Sequence, residues 1–271
     1  MMVKTNFSVL LSVYAKENPF YFDDSMQSII DQTLLPDEVV LVKDGKLTKD
    51  LDKIVKKWQE ILGSKLKVVE LSKNLGLATA LNVGLNECTF ELVARMDTDD
   101  ISLPSRFEKQ ISFFENYDDI SCASALVEEY DEDMEQSLNI RELPEGHSDI
   151  RKFCQRRNPI SHPVAMFKKK DVLSVGGYPN VYPEDYYLWL KMIQAGYKLA
   201  NIQEVLLKMR TGRSFIGRRG YQFLKGEVAI YNYMYKTKFI SFYVWFTNIC
   251  LRSFVRLSPT RLKILLYNYF R

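Results

Sequence analysis

The chain has 271 residues, 46% apolar and 13% aromatic, enough for one large α/β domain or two small ones with a sizeable core. Its four cysteines, Cys88, Cys122, Cys154 and Cys250, lie far apart with no C-x-x-C pair and no signal-like N-terminus, which argues against a disulfide scaffold or a zinc site and for reduced thiols in a cytoplasmic setting. The net charge of +3 conceals an asymmetry: thirteen Lys/Arg against Glu227 alone follow Glu204, leaving 24 basic and 33 acidic residues up to that point, so the two parts carry about −9 and +12 and the tail calls for an anionic partner.

Phe7 to Tyr14 is a continuous apolar run and reads as a strand buried on both faces. A helix follows, with Asp23 or Asp24 as N-cap, Met26, Ile29 and Ile30 at helical spacing, and Pro36 as its stop. Glu38 to Gly45 gives a second buried strand that closes on Asp44 and a glycine turn. Thr48 to Leu62 predicts a helix with Leu51, Ile54, Val55 and Trp58 on one face, and Lys67 to Leu71 a third strand. Asn74-Leu75-Gly76, with Asn74 as a candidate N-cap, leads into a small-residue helix, and Glu91 to Met96 makes the fourth strand. This alternation implies a mostly parallel sheet with helices on both faces, and it puts the strand ends at Ser12 to Tyr14, Asp44, Asn74 and Asp97 on one edge, where ligands of open α/β sheets bind. There is no G-x-G-x-x-G after the first strand and no G-x-x-x-x-G-K-[ST], so a nucleotide held here lacks a glycine-rich phosphate cradle.

Further on, Pro104 to Tyr117 predicts a helix, Ile120 to Tyr130 a strand, and Glu128 to Glu145 a surface loop or short hairpin. Ile160 to Phe167 is a strand candidate, Gly176-Gly177-Tyr178 a turn, and Glu184-Asp185 the start of a helix. A strand near Lys198 to Met209 runs into the Gly/Arg-rich stretch Arg210 to Gly220.

The chemistry concentrates in Ala94-Arg95-Met96-Asp97-Thr98-Asp99-Asp100, which packs three carboxylates into four residues. Like charges this close stay ionised together only around a cation or a set of donors, and a carboxylate site suits a hard divalent ion. The plainer alternative is a solvated acidic turn in which Asp100 or Ser102 caps the helix beginning near Pro104.

Together the motifs resemble the family 2 glycosyltransferases, the inverting sugar-nucleotide enzymes of GT-A fold, in particular the small bacterial ones that build surface polysaccharides. The resemblance covers roughly residues 6 to 215 and rests on an ordered set: the strand ending Ser12-Val13-Tyr14, Val42-Lys43-Asp44-Gly45, Asn74-Leu75-Gly76, Met96-Asp97-Thr98-Asp99-Asp100 followed by Pro104-Ser105-Arg106-Phe107, Gly176-Gly177-Tyr178, and Glu184-Asp185. It implies a GT-A (Rossmann-like) catalytic domain over residues 1–215, with a nucleotide-binding half (1–100) and an acceptor half (101–215), and a C-terminal helical, amphipathic extension over 216–271.

The resemblance also implies roles. Asp44 takes the position that hydrogen-bonds the donor base, with Ser12, Tyr14 and Asn74 beside the nucleotide; Asp97 meets the ribose side or the metal shell, Asp99 ligates Mn²⁺ or Mg²⁺, and Asp100 lies next to the donor sugar. Asp185 matches the catalytic base. Two departures stand out: Thr79 to Asn82 where many relatives carry an arginine, and Arg210-Thr211-Gly212-Arg213-Ser214 where a histidine is common. Arg210 and Arg213 are therefore expected to cover the diphosphate by charge pairing. His162 is either a structural histidine or an acceptor contact.

The tail from Phe239 to Leu257 is aromatic and apolar, but its uncharged run is too short to span a bilayer. It reads as an interfacial element on an anionic leaflet, or as a helical pair packed on the catalytic domain. The expectation is a cytoplasmic enzyme, peripheral on the inner face of the cell membrane, that uses a UDP-sugar donor and a lipid-linked saccharide acceptor and binds no nucleic acid. The rivals are a nucleotidyltransferase and a catalytically inactive sugar-nucleotide-binding protein.

Overall fold

The computed structural model describes residues 5–211 and 220–258. A nine-stranded sheet in the order β3-β2-β1-β4-β8-β6-β9-β5, with β7 paired to β6, forms its centre. The first half is the expected alternation: β1 (Phe7–Val13), α1 (Pro19–Ile30), β2 (Glu38–Lys43), α2 (Lys49–Leu62), β3 (Leu66–Glu70), α3 (Leu77–Glu87) and β4 (Leu92–Arg95), with the four strands parallel. Their side chains alternate between two apolar layers. Phe7, Val9, Leu11, Val39 and Leu41 meet α1, α2 and α4 (Arg106–Asn116), while Leu10, Val40 and Val42 meet α3 and α7 (Glu184–Gln194). A strand buried on both faces has no polar alternation to show, which is why these segments are continuous apolar runs.

After β4 the chain makes the two-residue β5 (Ile101–Ser102), α4, the long β6 (Ile120–Tyr130), β7 (Ser137–Arg141), α5 (His147–Cys154), β8 (Met166–Lys168), α6 (Lys169–Ser174), α7 and β9 (Lys198–Arg210). β8 runs antiparallel between β4 and β6, whereas β6 and β9 are parallel. The sheet is therefore mostly parallel, with β5, β7 and β8 reversed, and Glu128 to Glu145 forms the hairpin arm of β6 and β7.

Local boundaries differ from expectation in four places. α1 starts at Pro19, with Asn18 Oδ1 accepting from the Phe20 N–H (2.9 Å), because proline fits the first helical position; Asp23 instead accepts from Trp58 Nε1 (2.8 Å) on α2. Neither Asp100 nor Ser102 caps α4, since Ser102 pairs with Leu207 in the sheet and the helix begins only at Arg106. Gly76, not Asn74, occupies the cap position of α3. Ile160 to Phe167 is not one strand: Pro163 cannot donate to a ladder, and the segment forms a 3-10 turn at His162–Val164 before the short β8.

The C-terminal region forms α8 (Tyr221–Lys236) and α9 (Phe242–Leu257). Ile230, Tyr231 and Met234 of α8 join the α3/α7 side of the core. Gly226 lies against the chain entering α7, where an added Cβ would stand 1.4 Å from the Tyr182 carbonyl oxygen. Among the described residues no helix is long and apolar enough to cross a membrane.

Candidate active site

The acidic turn leaves the C-terminal end of β4 inside a buried frame. Arg106, at the start of α4, donates from Nη2 to the Arg95 carbonyl (2.6 Å), from Nη1 to the Ser102 hydroxyl (2.9 Å) and from Nε to Gln110 Oε1 (3.1 Å). None of these is a carboxylate, and burial, then the charge of Arg95, pushes its guanidinium down to about 9. Ser25 Oγ on α1 donates to the Asp97 carbonyl (2.8 Å). Arg210, the last residue of β9, closes the opposite side. Its N–H donates to Asp100 Oδ1 (2.8 Å), its Nε to the Asp99 carbonyl (3.0 Å) and its Nη1 to the Glu132 carbonyl, and its guanidinium lies 3.7 Å from the Tyr21 ring centre.

Inside this frame Asp97, Asp99 and Asp100 each bring a carboxylate oxygen within 4.8 Å of the other two. Asp97 pairs with Arg95, which is itself buried. Asp100 is buried as well, and its Oδ2 has no partner among the described residues. Burial, followed by the charges of Asp99 and Asp97, holds its carboxyl well above the usual carboxylate range. A divalent cation fits this donor set, because it would give Asp100 Oδ2 a partner and cancel the repulsion among the three acids.

On the same sheet edge, Asp44 follows β2. Its carboxylate accepts from the N–H groups of Leu75 (2.7 Å) and Gly76 (3.0 Å) at the N-terminus of α3, and Asn74 Nδ2 donates to its carbonyl (3.3 Å). Gly45 permits this closure, since its φ is +85° and a Cβ there would come 2.6 Å from Asn74 N. Ser12 and Tyr14, both half-buried, lie at the end of β1, whose Val13 carbonyl accepts from the Asp44 N–H (2.8 Å).

Glu184 and Asp185 open α7. Asn158 Nδ2 donates to Asp185 Oδ2 (2.6 Å), which fixes one face of that carboxylate. Glu184 is buried, and desolvation, then the charge of Asp185, pushes its carboxyl up to about 7. Arg95 acts on both acidic groups: it pairs with Asp97, and its charge also favours ionised Glu184. The fold thus brings Asp97, Asp99, Asp100 and Arg210 together, and Asp44 with Asn74, on one edge, with Asp185 held separately by Asn158. Arg213 lies outside the described residues. His162 is buried in its 3-10 turn with Nε2 3.0 Å from the Tyr178 hydroxyl, a structural position. Cys88, Cys122 and Cys154 are core residues, and burial pushes the Cys88 thiol up to about 12, so it supplies no nucleophile.

Arg95, Arg106 and Asn158 had no role in the sequence reading. The available signal was a cation ending an apolar strand and another heading the amphipathic helix that follows, since charges at such positions must be paired or hydrogen-bonded once buried.

The architecture is that of the GT-A sugar-nucleotide glycosyltransferases: the mannosyltransferase PcManGT from Pyrobaculum calidifontis, solved in complex with GDP-Man and Mn²⁺, matches with a TM-score of 0.66 at 18% identity, over 87% of this chain and 65% of that one. The chain belongs to glycosyl transferase family 2, whose profile matches residues 8–176, and it is a glycosyltransferase of surface-polysaccharide biosynthesis. It is 41% identical over 263 residues to the amylovoran biosynthesis glycosyltransferase AmsE of Erwinia amylovora, covering 96% of this chain and 97% of the relative. It is 38% identical to the UDP-Gal:alpha-D-GlcNAc-diphosphoundecaprenol beta-1,3-galactosyltransferase of Escherichia coli, covering 96% and 94%.

Proposed function

We propose that the protein transfers a hexose or N-acetylhexosamine from a UDP-sugar to a hydroxyl of a saccharide carried on a polyprenyl diphosphate, with inversion at the anomeric carbon and dependence on Mn²⁺ or Mg²⁺. The observation that carries this reading is the acidic turn, three converging carboxylates with an unpartnered buried oxygen at the sheet edge where Asp44 and Asn74 also lie. The donor named for the Escherichia coli relative, and its lipid diphosphate acceptor, support the substrate classes.

Asp44 receives the base. Two of its roughly four acceptor positions are used by Leu75 and Gly76, leaving others for a base N–H. Ser12, Tyr14 and Asn74 border the nucleotide, and Asp97 and Asp99 would hold the cation, with Asp100, on the donor-sugar side, offering it Oδ2. Arg210 stiffens the turn through the Asp99 carbonyl and carries further N–H groups for a phosphate, as Arg213 would. The bound cation would neutralise the charge that develops on the departing UDP. Asp185 accepts the proton of the acceptor hydroxyl as it attacks the far face of the anomeric carbon. One displacement inverts that carbon and requires no enzyme nucleophile.

The acceptor's lipid puts the reaction at the inner face of the cell membrane, and α9 supports this. Phe242, Tyr243, Phe246, Phe254 and Leu257 are exposed, whereas Asn248 and Arg256 are buried. An ordinary surface helix shows the reverse. Lys236 and Lys238 are exposed at its start, and the sequence from Pro259 to Arg271 adds three cations and no acid, which suits an anionic leaflet.

The test is UDP release from a panel of UDP-hexoses and UDP-N-acetylhexosamines with a sugar diphosphate acceptor, in Mn²⁺ and in EDTA. Metal-dependent UDP release with a glycosylated product is expected. No release from any donor refutes transfer, and equal rates in EDTA refute the metal requirement.

A further inference from the structure

We infer that Arg156 and Arg157 form the binding site for the diphosphate of the acceptor. This rests on the lipid-diphosphate acceptor proposed above. The two arginines follow α5 and are both exposed. Their peptide is clamped from the C-terminal helices. Asn248 Nδ2 donates to the Gln155 carbonyl (2.8 Å), and the Arg156 carbonyl accepts from Arg252 Nη2 (2.7 Å) and from the Tyr231 hydroxyl (2.9 Å). On the other side, Asn158 donates to Asp185 at 2.6 Å. The Arg157 guanidinium lies 5.5 Å from the Phe153 ring centre, which restrains its direction.

An acceptor of this class has three parts with separate needs: a hydroxyl for a base, a diphosphate for cations, and a lipid for an apolar surface. The chain presents these partners in the same order, with Asp185 first, then the arginine pair, then α9 with its outward aromatics. Guanidinium groups match phosphate oxygens with paired N–H donors, which a scattered lysine surface does not. Arg156 and Asn158 are two residues apart, so their Cα atoms are at most about 7 Å from each other. The arginine pair therefore lies within side-chain reach of the Asn158 that holds Asp185, so a phosphate at the guanidinium groups and a hydroxyl at Asp185 can belong to one acceptor molecule.

The experiment measures binding of two probes to protein saturated with UDP and Mn²⁺, so that the donor site is filled: an N-acetylglucosaminyl octyl diphosphate, and octyl N-acetylglucosaminide without phosphate. R156A/R157A is expected to weaken the diphosphate probe roughly 30-fold or more while the ratio of the two affinities collapses, and R156K/R157K is expected to fall between. Both variants alter exposed side chains and leave the clamped carbonyl in place, so melting should match the wild type. Equal weakening of both probes overturns the site, because the peptide would then act only through Asn158. Unchanged affinities for both probes overturn it, in favour of solvated charges or, where a parallel sedimentation with anionic phospholipid vesicles shows that vesicle binding falls, of a headgroup contact. Arginine-dependent probe binding in a protein that releases no UDP from any donor supports the site while refuting the transfer reaction.

Discussion

Replacing Asp185 by Asn separates chemistry from architecture. The substitution keeps size and shape, and an Asn amide can still present its oxygen to Asn158 Nδ2, which now meets the Asp185 carboxylate at 2.6 Å. At the N-terminal turn of a helix Asn serves about as well as Asp, so the fold loses at most about 1 kcal/mol, that of a weakened charge-assisted hydrogen bond. If Asp185 accepts the acceptor's proton, the amide cannot, and the transfer rate falls on the order of 10²–10⁴-fold, an added barrier of about 3–5 kcal/mol. The two consequences differ enough to be read independently. Single-turnover transfer, UDP calorimetry and thermal melting on the one variant are the assay: slow transfer with normal UDP affinity and melting is expected. A second consequence follows at Glu184, whose carboxyl is pushed up to about 7 by burial and then by the Asp185 charge; without that charge its titration should move toward lower pH. A near wild-type single-turnover rate refutes the assignment and passes the role to Glu184 or Asp100.

Four further outcomes are expected. Asp99→Asn should abolish the Mn²⁺-dependent part of UDP binding by calorimetry while far-UV CD stays native; retention of that part removes Asp99 from the cation site. Glu184→Gln should change stability with pH in a defined sense: the folded carboxyl is raised above its ordinary value of 4.5 to about 7, so the folded state holds the proton more tightly and wild-type stability falls as pH rises between those values. The variant should therefore gain on the wild type across that window, by up to about 3 kcal/mol above it, and a pH-independent difference in melting would refute this. Gly226→Ala should destabilise by roughly 1–3 kcal/mol and slow transfer more than it weakens UDP binding, because its Cβ would stand 1.4 Å from the Tyr182 oxygen, three residues before Asp185; an unchanged melting temperature would contradict the packing. Phe246→Asp with Phe254→Asp should reduce binding to anionic vesicles without lowering Tm, since both rings are more than half exposed, at 52% and 59%; vesicle binding that survives the change counts against α9 as the contact, and binding that ignores high salt counts against the attraction to an anionic leaflet.

Legibility in the sequence followed the range of the physics. β1, β2, β6 and α7 were readable because burial on both faces, or a 3.6-residue period, writes itself into adjacent positions. The acidic turn was readable because its three carboxylates are neighbours in the chain. The groups that hold it were not: Arg106 reaches the Arg95 carbonyl across eleven positions, and Arg210 reaches Asp99 and Asp100 across more than a hundred. Arg210 is the instructive case. The sequence offered it as a cation for the diphosphate, and the fold places its N–H and guanidinium against the main chain and carboxylate of the acidic turn as well. At Pro163, one residue lacking a donor was enough to break an apolar run that otherwise reads as a strand.

The tail shows why composition leaves a helix's orientation open. The two readings, a helix on lipid and a helix on the domain, are compatible where one face packs and the other meets lipid, and α9 places its polar residues against the protein. Arg256 donates to Glu227 at 2.9 and 3.0 Å, with Arg252 at 3.6 Å from the same carboxylate. Glu227 is the sole acid after Glu204, and it is buried. Buried ion pairs of this kind contribute little net stability but strongly penalise arrangements that leave one partner alone, so they select a single seating of α9 on α8. That seating turns Phe246 and Phe254 outward. It also brings Arg252 to the Arg156 carbonyl, two residues from the Asn158 that holds Asp185. The charges that fix the helix pair therefore also fix the distance between the outward aromatic face and the proposed base, a distance that, under the proposed function, has to match the acceptor's own spacing between lipid and hydroxyl.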